Sequence, residues 1–232
     1  MTRNADCPER ALRELLDREV FGRESDHFDL DRLAKLAAGL DSASYYTERM
    51  ETAAREPDPD SLLRSAFARR DPAGLAMEFG VASGRTANLL AGLADGAVHG
   101  FDSFAGLPED WRPGFPRGAF AHTIPSLRPN VALEIGAFAE TLPRFAARHR
   151  GARAGFLHVD CDLYSSTRTV FEHCAPMIGP GTVIVFDEYF NYAGWRKHEH
   201  RAFQEFVAAG GRAYEYIGVV PTGQQVAVLM TA

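Results

Sequence analysis

The chain of 232 residues carries 25 basic and 31 acidic side chains, a formal charge of −6, with 46% apolar and 24% charged residues. That length and balance suit one α/β domain with an appendage, and the acidic excess speaks against a protein that grips a phosphate backbone. No apolar run reaches the length of a membrane span, so neither nucleic acid nor membrane is an expected partner. The segment MTRNADCPERALRELL lacks the apolar core and small-residue cleavage site of a secretory signal. Cys7, Cys161 and Cys174 stand at unrelated spacings rather than in a disulfide frame, so the expected address is a reducing cytoplasm.

Residues 1–70 read as an N-terminal helical cap and residues 71–232 as the main domain. Ala11, Leu12, Leu15, Leu16 and Val20 fall at helical spacing, as do Leu30, Leu33, Leu36, Ala37 and Leu40. The turn signal Glu56-Pro-Asp-Pro-Asp precedes a further helical pattern from Ser61 through Leu62, Leu63 and Phe67. Such a cap covers a sheet face, makes a homodimer contact or, through Tyr45 and Tyr46, lines a substrate mouth.

The stretch LAMEFGVASGRT, Leu75 to Thr86, reads as a strand, a glycine turn and a helix start. Gly80 and Gly84 leave the turn without bulky side chains, and the first N–H groups of the next helix face the gap as unsatisfied donors. Glu78 is a carboxylate near the strand end, where burial is costly unless a cationic or donor group meets it. A second strand over residues 97–102 ends in Asp102, placed to accept hydrogen bonds from the ribose hydroxyls of an adenosine-containing ligand. Residues 103–130 form a long connection rich in Pro, Gly and aromatics; Trp111, Phe115 and Phe120 either cover a bound ligand or pin the loop to the core.

Further strands are expected over residues 131–136, 156–160 and 182–187, with a short helical piece over 138–145. A helix is entered through Ser165-Ser166-Thr167, whose hydroxyls suit an N-cap. A polar-faced helix over 196–209 carries His198 and His200, and residues 212–220 and 224–230 close the chain as an antiparallel pair. The fold class is therefore α/β: a Rossmann-like, doubly wound, seven-stranded and mostly parallel sheet with an antiparallel C-terminal strand. Glu78, Asp102, Asp160 and Asp187-Glu188 all stand at the C-terminal ends of strands, where open α/β sheets bind ligands. Asp160 and Asp187, on neighbouring strands, can meet one hard cation together with Glu188. His158 and Cys161 read as structural, the thiol being flanked by two aspartates that raise its pKa.

Four segments in this order carry a resemblance: Glu78-Phe-Gly-Val-Ala-Ser-Gly84, Gly100-Phe-Asp102-Ser-Phe-Ala-Gly-Leu-Pro108, His158-Val-Asp160-Cys-Asp-Leu-Tyr-Ser-Ser-Thr167 and Phe186-Asp-Glu-Tyr189. The first resembles motif I of the class I S-adenosylmethionine (SAM)-dependent methyltransferases. Together they resemble the macrocin O-methyltransferase family, whose members methylate sugar hydroxyls of bacterial natural products. The resemblance implies that Glu78, Gly80, Val81, Ala82, Ser83, Gly84 and Thr86 form the cofactor turn facing the methionine part of SAM, and that Asp102 holds the ribose. Ser103 and the strand end Gly136, Ala137 and Phe138 would lie near adenine. Asp160, Asp187 and Glu188 would bind Mg²⁺, although related enzymes often have Asp-Asp or Asp-Asn at the last pair. The expected activity is methyl transfer to a hydroxyl of a small-molecule acceptor in antibiotic or other natural-product biosynthesis. Asp160 is the first choice for the general base, with His198 or His200 second. A glycine turn followed by an acid also describes an NAD(P)-binding oxidoreductase, and a non-catalytic cofactor-binding protein is the third reading.

Overall fold

A computed structural model of the chain describes Glu14 and residues 28–232; the helical pattern from Ala11 to Val20, Glu14 apart, and Cys7 lie outside the described residues. Helix α1, Leu30–Arg49, starts where the carboxylate of Asp29 accepts hydrogen bonds from the amides of Asp31 and Arg32, each at 3.1 Å. After strand β1, Ala54–Arg55, the Glu56-Pro-Asp-Pro-Asp signal opens α2, Pro59–Ala68. Asp58 caps it by accepting from the amide of Ser61 at 2.8 Å, and Pro59 takes a first-turn position whose missing N–H costs nothing.

The alternation of strand and helix follows: β2 Leu75–Phe79, α3 Arg85–Leu93, β3 Val98–Asp102, β4 Val131–Ile135, α4 Phe138–Arg148, β5 Ala154–Val159, α5 Tyr164–Cys174 and β6 Val183–Phe186. A 3-10 turn, Trp195–Lys197, leads to α6, Glu199–Gly210, and the chain closes with β7, Tyr214–Val219, and β8, Val226–Met230. The sheet order is β1-β7-β8-β6-β5-β2-β3-β4. All neighbours pair parallel except β8, which runs antiparallel to both β6 and β7. Every residue of β5 and of β6 is buried, as the apolar composition of a strand covered on both faces requires.

The sheet has eight strands rather than the seven expected. The extra member is β1, two residues too short to show any periodicity, which pairs with β7 at the sheet edge. Helix α2 also belongs to the layered fold: Leu62, Leu63, Ala66 and Phe67 pack with Ala76, Phe156, Val183 and Val185 on one sheet face. α1 is fastened over the other sheet face, where Ala38, Tyr45 and Tyr46 join the larger core cluster. The hydroxyl of Tyr45 meets that of Tyr216 at 2.6 Å, Asp41 receives Arg196 at 2.8 and 2.9 Å, and Ser42 Oγ accepts from the amide of Asn191 at 2.9 Å. The single helix expected over 196–209 is divided, because Gly194 is left-handed and His198 leaves helical geometry at φ −111°, ψ −124°. Among the described residues no helix is long and apolar enough to cross a membrane.

Candidate functional site

The site is built where the turn after β2 meets the end of β5. Gly80 has φ +100°, and a Cβ placed on it would stand 1.7 Å from the carbonyl oxygen of Asp160, so only glycine allows this approach. The amide of Asp160 donates to Phe79 O at 2.9 Å and that of Gly80 to Phe101 O at 2.9 Å, which extends the β2–β5 and β2–β3 pairings to the strand ends. Asp102 fixes the turn: Oδ2 accepts from the amides of Val81 and Ala82, both at 2.8 Å, and Oδ1 accepts from the amide of Phe104 at 2.7 Å.

Over these ends opens a cavity of about 400 Å³. Its walls include Gly80, Ala82, Asp102 and Ser103 on one side, Gly136, Ala137 and Phe138 at the end of β4, and Asp160, Asp162 and Glu188 on the β5–β6 side. Ala82, Phe120 and Asp162 line it with positive φ values of 44°, 62° and 63°, a concentration of backbone strain of the kind that gathers at ligand sites.

Several residues expected at the cofactor turn lie off the wall. The side chain of Val81 is buried, Ser83 is exposed, Gly84 opens α3 with φ +78°, and Thr86 is buried within that helix. Glu78 is fully buried and does not line the cavity; its Oε1 lies 2.8 Å from Nδ1 of His158, the donor that its burial demands. Tyr45 joins the cluster of Tyr189, Tyr214 and Tyr216, and neither it nor Tyr46 lines the cavity.

The long loop contributes in two ways. Trp111 is buried against Phe115 and Tyr192, with the Arg112 guanidinium 3.8 Å from its ring centre, whereas Phe120 remains exposed on the cavity wall. Gly106, Leu107 and Pro108, the end of the second resembling segment, reach the wall as well. Ser165 and Ser166 do not cap α5, whose N-cap is Leu163 without a side-chain bond; they line the cavity from the first turn. Hydroxyls directly after an acidic strand end were the signal available for that role.

Acidic groups crowd the β5–β6 side. Burial first, and then the charges of Asp187 and other neighbouring carboxylates, holds Asp160 and Glu188 well above the usual carboxylate range. Burial raises Asp162 to about 6, with Asp187 adding to the effect and Arg112 opposing it. Glu199, placed by the sequence on a polar helix face, is fully buried: Oε1 accepts from the amide of Cys161 at 3.4 Å and Oε2 from that of Glu188 at 3.1 Å, bridging the ends of β5 and β6. Burial likewise pushes the Cys161 thiol up, as its flanking aspartates led us to expect.

Among the described residues, one set of ligand atoms converges as a metal would require: a ring nitrogen of His158 and a carboxylate oxygen each from Asp160 and Asp187, all within 4.8 Å of one another. His158, read as structural, is in this group, and Glu188, expected there, is not. The alternation of side chains explains this, since His158 pairs with Val185, two residues before Asp187, so those side chains share a face while Glu188 turns toward Asp162. Burial alone would lower the pKa of His158, but the hydrogen bond and charge of Glu78, with Asp187 and Glu199, raise it.

His198 and His200 are not on a polar face. His198 is half-buried beside Trp111 and Tyr192, off the cavity wall, and burial together with Arg112 and Lys197 lowers its pKa. His200 is enclosed by Tyr45, Tyr189 and Trp195, and burial with the nearby Arg196 lowers it to about 4.

Residues 77–189 match the family model of the methyltransferase domain. Among solved structures, the calicheamicin methyltransferase CalS11 is similar at 22% identity with a TM-score of 0.60, covering 97% of this chain and 94% of that one. The O-methyltransferase NovP is similar at 20% identity with a TM-score of 0.58, covering 75% and 79%. An apo structure of CalS11, described as a TDP-rhamnose 3'-O-methyltransferase, aligns at 21% identity and a TM-score of 0.52 over 97% and 96%. No curated protein sequence matches. The fold is shared with these methyltransferases, and the cavity lies at the carboxyl ends of its parallel strands.

Proposed function

We propose that the protein is a SAM-dependent O-methyltransferase acting on a hydroxyl of a small molecule, a sugar or another natural-product intermediate. The observation that carries this reading is the single cavity wall on which the glycine turn, Asp102 and Asp160 meet. The methyltransferase-domain match and the four resembling segments support it.

SAM supplies an electrophilic methyl group on a sulfonium. The open backbone at Gly80 and Ala82 leaves room for its methionine part, and the remaining lone pair of Asp102 Oδ1 accepts from a ribose hydroxyl. Ser103, Gly136, Ala137 and Phe138 form the adenine end. Asp160, on the cavity wall, takes the proton of the acceptor hydroxyl. Holding that hydroxyl in line with the methyl group supplies much of the rate, and Phe120 with Leu107 forms the apolar side that orients it.

Asp160 and Asp187 fit a divalent cation, Mg²⁺ in the sequence reading, because carboxylate oxygens this close are compensated by a positive charge. A cation there would favour the deprotonated form of a nearby hydroxyl. The acidic surface charge and the free, buried Cys161 and Cys174 support a cytoplasmic address, and exposed Leu30, Leu36 and Leu40 on α1 support a homodimer.

Calorimetric titration with SAM, with NAD as the rival ligand, tests the class. Micromolar SAM binding, followed by methylation of a hydroxyl in an acceptor screen, is the expected result. Binding of NAD instead, or of neither, overturns the reading.

A further inference from the structure

We propose that His158 is a nitrogen ligand of the cation site beside the cavity, oriented by Glu78, and that the site therefore takes a first-row transition dication in preference to Mg²⁺. Glu78 and His158 stand opposite each other on β2 and β5, and both are fully buried. Glu78 Oε1 engages Nδ1 of the imidazole at 2.8 Å. With Nδ1 so engaged as donor, Nε2 carries the free lone pair, and Nε2 is buried without a hydrogen-bond partner.

One ring nitrogen of His158 stands in a group with a carboxylate oxygen each from Asp160 and Asp187, the three atoms within 4.8 Å of one another, and Nε2 is the nitrogen that Glu78 leaves free for it. Atoms bound about 2.1 Å from one ion stand about 3 to 4 Å apart, so a small closure brings all three onto it. A buried carboxylate, an imidazole and an open nitrogen in sequence form the arrangement by which an outer carboxylate fixes the tautomer and raises the basicity of a ligating histidine. Imidazole suits the borderline first-row dications, whereas Mg²⁺ favours an all-oxygen shell.

The inference deepens the proposed cation site and is tested apart from the methyl donor. The chelator-stripped full chain is titrated with Mn²⁺ and, in competition, with Mg²⁺. We expect one Mn²⁺ per chain, bound at least tenfold more tightly than Mg²⁺, with electron spin-echo modulation from one imidazole nitrogen. Mn²⁺ bound without that modulation, equal affinities, or no binding of either ion overturns the inference. Glu78→Gln, which preserves side-chain volume, should weaken Mn²⁺ about 10- to 100-fold; unchanged affinity overturns the orienting role. His158→Gln should abolish the modulation, and if that variant fails to fold, the spin-echo signal of the unaltered chain still decides. SAM titration separates the two readings: SAM binding without the nitrogen signal sinks only the ligand assignment, and the nitrogen signal without SAM binding sinks only the donor.

Discussion

Asp102 Oδ2 accepts the amide of Val81 at 2.8 Å, so the carboxylate proposed to hold the ribose also holds the glycine turn. Asp102→Ala leaves the amides of Val81, Ala82 and Phe104 without their acceptor. We expect a loss of about 1–3 kcal/mol in unfolding free energy without any ligand, and SAM binding weakened at least tenfold. Denaturant unfolding of the ligand-free variant checks this; an unchanged midpoint would show that the turn stands without Asp102.

Gly80→Ala should be more damaging than its single added methyl suggests. The new Cβ meets Asp160 O, and φ +100° is a conformation that L side chains rarely adopt. The backbone must separate the turn from β5, at a cost of about 2 kcal/mol or more, and the SAM site should be lost with it. Melting temperature and SAM titration together test this, and a variant equal to the parent in both would refute the close approach.

Asp160→Asn keeps the shape of the side chain and removes its capacity as a base. Turnover should fall about 10²- to 10⁴-fold while SAM affinity stays within a few-fold of the parent. A turnover equal to the parent's assigns the proton to another group.

The alternating strand and helix pattern, the glycine turn and the acidic strand ends were legible because each has a local signature: period, punctuation, or a charge at a fixed place. What escaped depended on contacts between distant segments. Glu199 reads as one more charge on a polar helix until the fold carries it beneath two strand ends. His158 reads as structural from its own strand, which does not reveal that Glu78 lies opposite and Asp187 alongside. Glu188 stands outside the group that His158, Asp160 and Asp187 form, and adjacency in sequence does not say which side of the strand end a residue takes.

Glu199→Ala should release both amides it accepts, with a loss of about 1–3 kcal/mol in stability. Because those amides directly follow Asp160 and Asp187, divalent-ion affinity should fall as well. Denaturant unfolding and ion titration of the variant read the two effects, and an unaltered affinity would restrict Glu199 to a stabilising role.

His200 gives a pH dependence whose sign is fixed. Its folded pKa of about 4 lies below the ordinary 6.5, so the unfolded chain takes up the proton first as pH falls. Its contribution is complete above about 6.5 and is lost as pH falls toward 4, up to about 3 kcal/mol, while the raised carboxylates of the site act in the opposite direction. Subtracting the profile of His200→Leu isolates it: between pH 7 and 4 the parent should lose more stability than the variant. Parallel profiles would refute a buried neutral imidazole between Arg196 and Tyr45.

The loop after β3 divides its labour between Trp111, sunk among aromatic rings under Arg112, and Phe120, which stacks on Phe115 and leaves about half of its surface open on the cavity wall. Under the proposed function, exchanges at Phe120 would retune which acceptor is taken while giving up only its stacking on Phe115, and the ring of Trp111 would stay in place beneath.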